Sequence, residues 1–176
     1  MIIPTARLVL TPLRADDAAA MAGVLDDERL HEFIGGAPLP AAELAARYAR
    51  LAAGSGRPDE VWLNWIVRLG DTPIGTVQAT VTGDHAEIAW VVGVPWQGHG
   101  YAGEAARALV AWLSGQGVRT ISANIHPDHA ASGAVAARAG LIRTDELIDG
   151  EYVWRTGGRA AGVEQTVADD RSPDDE

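Results

Sequence analysis

The sequence predicts a mixed α/β fold, a single sheet covered by helices, and three observations carry that prediction. Three runs rich in β-formers follow one another across residues 61–94, separated by two turn signals. On both sides of them, apolar residues recur at the spacing of amphipathic helices. The full order reads β-α-α-β-β-β-α-β-α-β-β. It contains no internal repeat of the roughly 20 to 50 residues that would signal a solenoid or propeller.

Residues 7–13 form the first, short apolar strand, and Pro12, which cannot donate to a ladder, puts its end at a sheet edge. Asp16 and Asp17 then offer an N-cap to a helix whose buried stripe is Ala18, Met21, Ala22 and Leu25. The pattern breaks at Gly35-Gly36-Ala37-Pro38, so His31, Glu32 and Phe33 fall in a loop before a second helix marked by Leu44, Tyr48 and Leu51. Strands at 61–69, 74–82 and 86–94 are divided by Gly70-Asp71-Thr72-Pro73 and Gly83-Asp84-His85, which makes them an antiparallel meander. A helix over 102–116 turns Ala105, Ala106, Leu109 and Leu113 to one side and stops at Gly117. A strand at 120–125 follows, then a short helix at 130–139 ended by Gly140. A hairpin across Asp149-Gly150 finally joins 141–148 to 151–155.

The chain has 176 residues, enough for one domain with a real core and too few for two, so residues 1–155 are expected to be that domain. Residues 156–176 are rich in Gly and acidic groups and are expected to be a flexible tail. Cys is absent, which excludes disulfides and thiolate catalysis. The five His residues have no ligand spacing, so no metal is expected. Neither a targeting segment nor a bilayer-length apolar run is present, and a cytoplasmic protein without a membrane partner is expected. A net charge of -10 argues against nucleic acid as a partner and favours a cationic one. Oligomeric state has no signature here, and a homo-oligomer is left open.

The segment richest in chemistry is Pro95-Trp96-Gln97-Gly98-His99-Gly100-Tyr101-Ala102, between a strand and a helix. A Gly-rich turn there aims free backbone N–H groups and the positive end of the helix dipole at one small volume, which suits a pyrophosphate. The spacing is not that of a Walker loop, because no Gly-Lys-Ser/Thr follows, and the antiparallel strands before it do not suit a dinucleotide fold. A Gly-x-Gly alone also serves as a purely structural turn. No Gly-x-Ser-x-Gly elbow occurs, and the Ser residues have no evident triad partners, so a serine nucleophile is not indicated.

Gln97-Gly98-His99-Gly100-Tyr101-Ala102 resembles the Gln/Arg-x-x-Gly-x-Gly/Ala loop of the GNAT acyltransferases. Downstream, His126-Pro127-Asp128-His129-Ala130-Ala131-Ser132 resembles that family's Pro-x-Asn-x-x-Ser segment, and Ala139-Gly140-Leu141 its closing Gly-Phe. The opening Thr5-Ala6-Arg7-Leu8-Val9-Leu10 is similar to that of the subgroup containing ribosomal-protein N-terminal acetyltransferases. The resemblance spans residues 5–155. It implies the GNAT fold, a mixed and mostly antiparallel sheet with two splayed parallel strands and helices on both faces. It also implies transfer of an acyl group from an acyl-CoA, usually acetyl-CoA, to a primary amine.

On the same resemblance, Val92 and Val94 supply backbone contacts to the pantetheine of the cofactor. Gln97, Gly98, His99, Gly100, Tyr101 and Ala102 hold its pyrophosphate, and His129 and Ser132 flank its arm. His31, Glu32, Phe33 and Trp90 wall the acceptor. Glu87, set between Ala86 and Ile88, is the expected catalytic base, partly desolvated by those neighbours. There are departures: His129 stands where the family often has Asn, Leu141 where it has Phe, and Ala136 where many members carry the Tyr that protonates the thiolate. Another acyl-CoA, an aminoacyl-tRNA donor, or a noncatalytic acyl-CoA sensor are the competing readings.

Overall fold

The structure is a computed structural model and describes residues 1–157, so nearly all of the expected tail lies outside the described residues. Its strands are β1 (Ile3–Pro4), β2 (Val9–Pro12), β3 (Glu60–Leu69), β4 (Thr72–Thr82), β5 (His85–Val92), β6 (Thr120–Ile125), β7 (Leu141–Ile148) and β8 (Glu151–Thr156). They form one sheet in the order β1-β2-β3-β4-β5-β6-β8-β7. Every neighbouring pair is antiparallel except β5 and β6. The helices are α1 (Ala18–Val24), α2 (His31–Ile34), α3 (Ala41–Ala53), α4 (Tyr101–Gly115) and α5 (Ala130–Arg138).

Alternation along the strands sorts the core into two layers. Trp65, Val67, Val77, Ala79, Ala86 and Ile88 face α4, whose Ala105, Ala106, Leu109 and Leu113 are fully or nearly fully buried against them. The small Ala pair lets the helix lie close to the sheet. Ile66, pointing the other way, joins Leu13, Met21, Leu44 and Tyr48 under α1 and α3.

The feature that matters for function is the parallel pair. β5 and β6 are in register only at His85↔Thr120, Ala86↔Ile121 and Glu87↔Ser122. Beyond that point β5 stays paired with β4 out to Val92, and β6 with β8 out to Ile125. Each therefore turns one unpaired edge toward the other, and the sheet forks.

Four sequence expectations change in detail. The first strand is shorter than 7–13 and is preceded by β1, a two-residue strand covering Val9 and Leu10 but leaving Pro12 on an open edge. His31, Glu32 and Phe33 are not in a loop but in α2, a single helical turn. Val94 is not on the strand: β5 ends at Val92, and Val94 opens a 3-10 turn reaching Trp96. Thr156, assigned to the tail, closes β8 and accepts a hydrogen bond on its Oγ1 from the Ile121 N–H at 3.1 Å.

Candidate active site

The loop between β5 and α4 is shaped by two left-handed residues, Gly98 at φ 77° and Gly100 at φ 80°. Side chains adopt that conformation only with strain. Gly100 is the N-cap of α4, and the first helical bond runs from Glu104 N–H to Gly100 O, which leaves the Tyr101, Ala102 and Gly103 N–H groups ahead of it. The Gln97 Nε2 donates to Val92 O at 3.0 Å and clips the loop to the strand end. His99 folds back, its Nδ1 2.8 Å from Gln97 O and its ring stacked on Tyr101.

Backbone directions at the fork follow from one bond. Gly93 N–H donates to Ile74 O at 2.8 Å, so Gly93 and Val91 face β4. By alternation, Trp90 and Val92 turn their N–H and C=O groups to the gap beside β6. The Val92 carbonyl is taken by Gln97, and its N–H faces the gap.

Two cavities open at this fork. The larger, about 560 Å³, is lined by Val92, Val94, Gln97, Gly98, Gly100, Tyr101 and Ala102 on one side and by His129 and Ser132 of the α5 segment on the other. These are cofactor-binding residues expected from the sequence; His99 instead borders a neighbouring recess with Arg7, Arg107 and Arg138. The second cavity, about 400 Å³, lies between α3 and the sheet and includes His31. Leu30, Trp90 and Val91 border both, so this stretch of β5 is the wall between them. Phe33 lines the larger cavity rather than the acceptor side, stacking on His129 with centroids 4.2 Å apart.

Besides His99, two expected residues lie outside both cavities. Glu32 is exposed on α2. Glu87 is also exposed, its Oε2 3.5 Å from the Asn124 Nδ2, and the desolvation expected from Ala86 and Ile88 is absent. Those two neighbours are buried on the opposite face of the strand, where alternation puts them.

The sequence reading missed the support beneath the loop. Glu104, 9% exposed, receives the Thr5 hydroxyl at 2.6 Å, the Arg7 backbone N–H at 2.8 Å and the Arg7 Nε at 2.7 Å. Burial pushes its carboxyl up, but these bonds and the Arg7 charge outweigh it and hold the group below the usual carboxylate range. Arg7 also donates from Nη1 to His99 O at 3.1 Å and lies 4.7 Å above the Tyr101 ring. The N-terminal segment thus anchors the loop and brings a cation to it. Arg138 of α5 crosses α4 at Gly103, where an added Cβ would come within 3.2 Å of its Cδ, and borders both the larger cavity and the recess.

This arrangement fits an acyl-CoA. Free N–H groups at a helix start and three guanidinium groups around the recess suit phosphate oxygens. The unpaired edge of β5 suits the amides of a pantetheine lying between the strands like an added strand. Among the described residues no group of three His, Asp or Glu is placed to hold a metal, and no helix is long and apolar enough to cross a membrane.

Known proteins agree with this architecture. The GNAT-family acetyltransferase from Bacillus anthracis superposes with a TM-score of 0.74 at 20% identity, over 88% of this chain and 97% of that one. RimL, a ribosomal alpha-N-protein acetyltransferase solved with coenzyme A, gives 0.75 at 18% identity, over 88% and 97%. AAC(6')-Ib, an aminoglycoside acetyltransferase solved with paromomycin and acetyl-CoA, gives 0.72 at 24% identity, over 92% and 98%. No curated protein matches by sequence. The family model of the acetyltransferase (GNAT) domain matches residues 7–142, most of the described chain, and the protein belongs to the GNAT acetyltransferase family.

Proposed function

We propose that the chain moves an acetyl group from acetyl-CoA to a primary amine by direct attack within a ternary complex. One observation carries the proposal: a cavity lined by the Gly98–Gly100 loop and a second cavity meet at Leu30, Trp90 and Val91, beside the fork of β5 and β6. Donor and acceptor can then be held at once, with their reacting atoms brought together at the wall, which is the source of most of the rate that positioning alone provides.

The pyrophosphate sits against the N–H groups of the loop and the start of α4, and the pantetheine follows the open edge of β5. The amine nitrogen attacks the thioester carbonyl; a C–N bond forms, the C–S bond breaks, and the electron pair leaves on sulfur. The Val92 N–H, directed into the gap, stabilises the developing oxyanion. Glu87 takes the amine proton through water, since it lies three residues, roughly 10 Å along the strand, from Trp90. The thiolate takes its proton from a group other than residue 136, which is Ala and fully buried.

Initial rates of thiol release, measured with both substrates varied, test the mechanism. Intersecting double-reciprocal lines are expected; parallel lines would indicate an acyl-enzyme and overturn it. Replacing acetyl-CoA with longer acyl-CoA donors in the same assay tests the donor. The second reading, a noncatalytic acyl-CoA sensor, is favoured by Ala136, and tight acetyl-CoA binding with no turnover of any amine would establish it.

A further inference from the structure

The second cavity carries its own statement about the acceptor, one that rests on the acetyl-transfer reading above. Among the described residues, no Asp or Glu lines it. The acidic side chains stand at its margin instead: Asp17 acts on the lining Tyr48 from outside, and Glu87 shares the strand face of the lining Ala89 and Val91. One wall is apolar, built by Leu13, Leu25, Leu39, Leu44 and Leu51. The facing sheet surface is polar but uncharged: Asn64 and Gln78 are direct partners on β3 and β4, with Thr76 two residues along.

Tyr48, also in the lining, adds no negative charge, because burial pushes its phenol up to about 12, with the Arg47 charge opposing and the Asp17 charge adding to it. His31 is turned to the main chain, its ring nitrogens each 3.3 Å from a carbonyl, Gly35 O and Leu25 O, to one of which a neutral ring donates. That leaves Arg47. It lies on the same face of α3 as Leu44 and Leu51, three residues from one and four from the other, and forms no ion pair among the described residues.

A polycation finds no counter-charge on the lining of this cavity and meets a guanidinium there, a combination that desolvates charge without pairing it. A molecule with an apolar body finds the Leu wall, and a carboxylate on that body finds Arg47. We infer that the acceptor is a small primary amine with an apolar body and one carboxylate, an apolar amino acid in chemical terms, with Arg47 as the residue that selects it. The volume, about 400 Å³, is near the lower end for small-molecule sites and suits a single such molecule.

The test is a matched panel at saturating acetyl-CoA: phenylalanine and 6-aminohexanoate, their neutral counterparts phenethylamine and hexylamine, the polycations kanamycin and spermidine, and a peptide with an apolar first residue. Thiol release is read, and binding of each amine to the enzyme–CoA complex is followed by calorimetry. The carboxylate-bearing amines are expected to exceed their neutral counterparts about tenfold in kcat/KM, the worth of one charge-assisted bond. Arg47→Ala should bring that ratio to near one, and Arg47→Lys should restore part of it.

Kanamycin, spermidine or the peptide as the best acceptor would overturn the inference while leaving acetyl transfer standing. So would a ratio that Arg47→Ala does not change. Arg47-dependent binding of the carboxylate amines without turnover would uphold the cavity's specificity and sink the transfer reading instead. Absence of both binding and turnover in a protein that binds acetyl-CoA would overturn the inference.

Discussion

The Phe33 ring stacks on the His129 imidazole, 4.2 Å between centroids and 12° from parallel, and so joins α2 to the start of α5 across the fork of the sheet. His126 packs against the same ring from 5.4 Å. Both stacked residues line the larger cavity, which makes the pair a bracket beside the expected path of the pantetheine.

Removing the bracket should be visible in one titration. Burial is the first cause of the lowered His129 pKa; the His126 charge adds to it, while Glu32 and Glu151 oppose. Since the folded value lies below 6.5, the unfolded chain binds more protons in that window. The fold therefore gains stability as pH rises toward 6.5 and loses it as pH falls through the folded value. Phe33→Ala should move the His129 resonance, followed by NMR, back toward the ordinary value and raise the KM for acetyl-CoA. An unmoved titration would mean that the stack does not shield the ring.

Gly100→Val tests the cofactor loop. The position has φ 80°, so a β-branched side chain adds strain of roughly 1–2 kcal/mol or more, and the nearest atom to an added Cβ is only an Arg7 nitrogen at 3.6 Å. Backbone distortion, not a clash with protein, is then the expected cause of weaker binding. Calorimetry should give at least about a tenfold higher Kd for acetyl-CoA in a folded variant. An unchanged Kd would remove the pyrophosphate from this loop.

Glu104→Gln tests the support below it. The carboxylate collects three hydrogen bonds while nearly buried, one of them the ion pair with Arg7, and its loss should cost about 1–3 kcal/mol in denaturant unfolding. Because the folded pKa is held below 4.5, the contribution is complete above that value and disappears as pH falls through the folded one. The wild type should thus lose stability in acid more steeply than the variant. Parallel pH curves would count against the network.

What the sequence made legible follows from what repeats locally. The meander, α3, α4 and the Asp149-Gly150 hairpin have periods or turn residues that declare them, and Asp149 at φ 51° with Gly150 at φ 86° is the mirror-image turn such a pair favours. Four residues of α2 and two of β1 are too few to show any period. The Arg7–Glu104 pair joins positions 97 apart and needs the topology before it can be seen. Arg47 is an exposed residue of α3, and only the fold shows that it borders a cavity. For Glu87 the error was one of direction: flanking residues in a strand face the other side, so Ala86 and Ile88 say nothing about its desolvation.

That last point sharpens the expectation for Glu87 itself. It and Ser122 are the final residues in parallel register, so its side chain stands at the fork, yet it lines neither cavity. A base acting there must work through water, and its carboxylate has Asn124 as a neighbour at 3.5 Å. Glu87→Gln should then lower kcat by about 10²-fold, the lower end for positioned acid–base catalysis. The acetyl-CoA Kd should stay constant. The acidic limb of the kcat profile should flatten, because Gln has no proton to lose as pH rises. If kcat and the profile are both unaltered where chemistry limits the rate, Glu87 is a surface residue of β5, and holding the two substrates against the Trp90–Val91 wall is the main catalytic device.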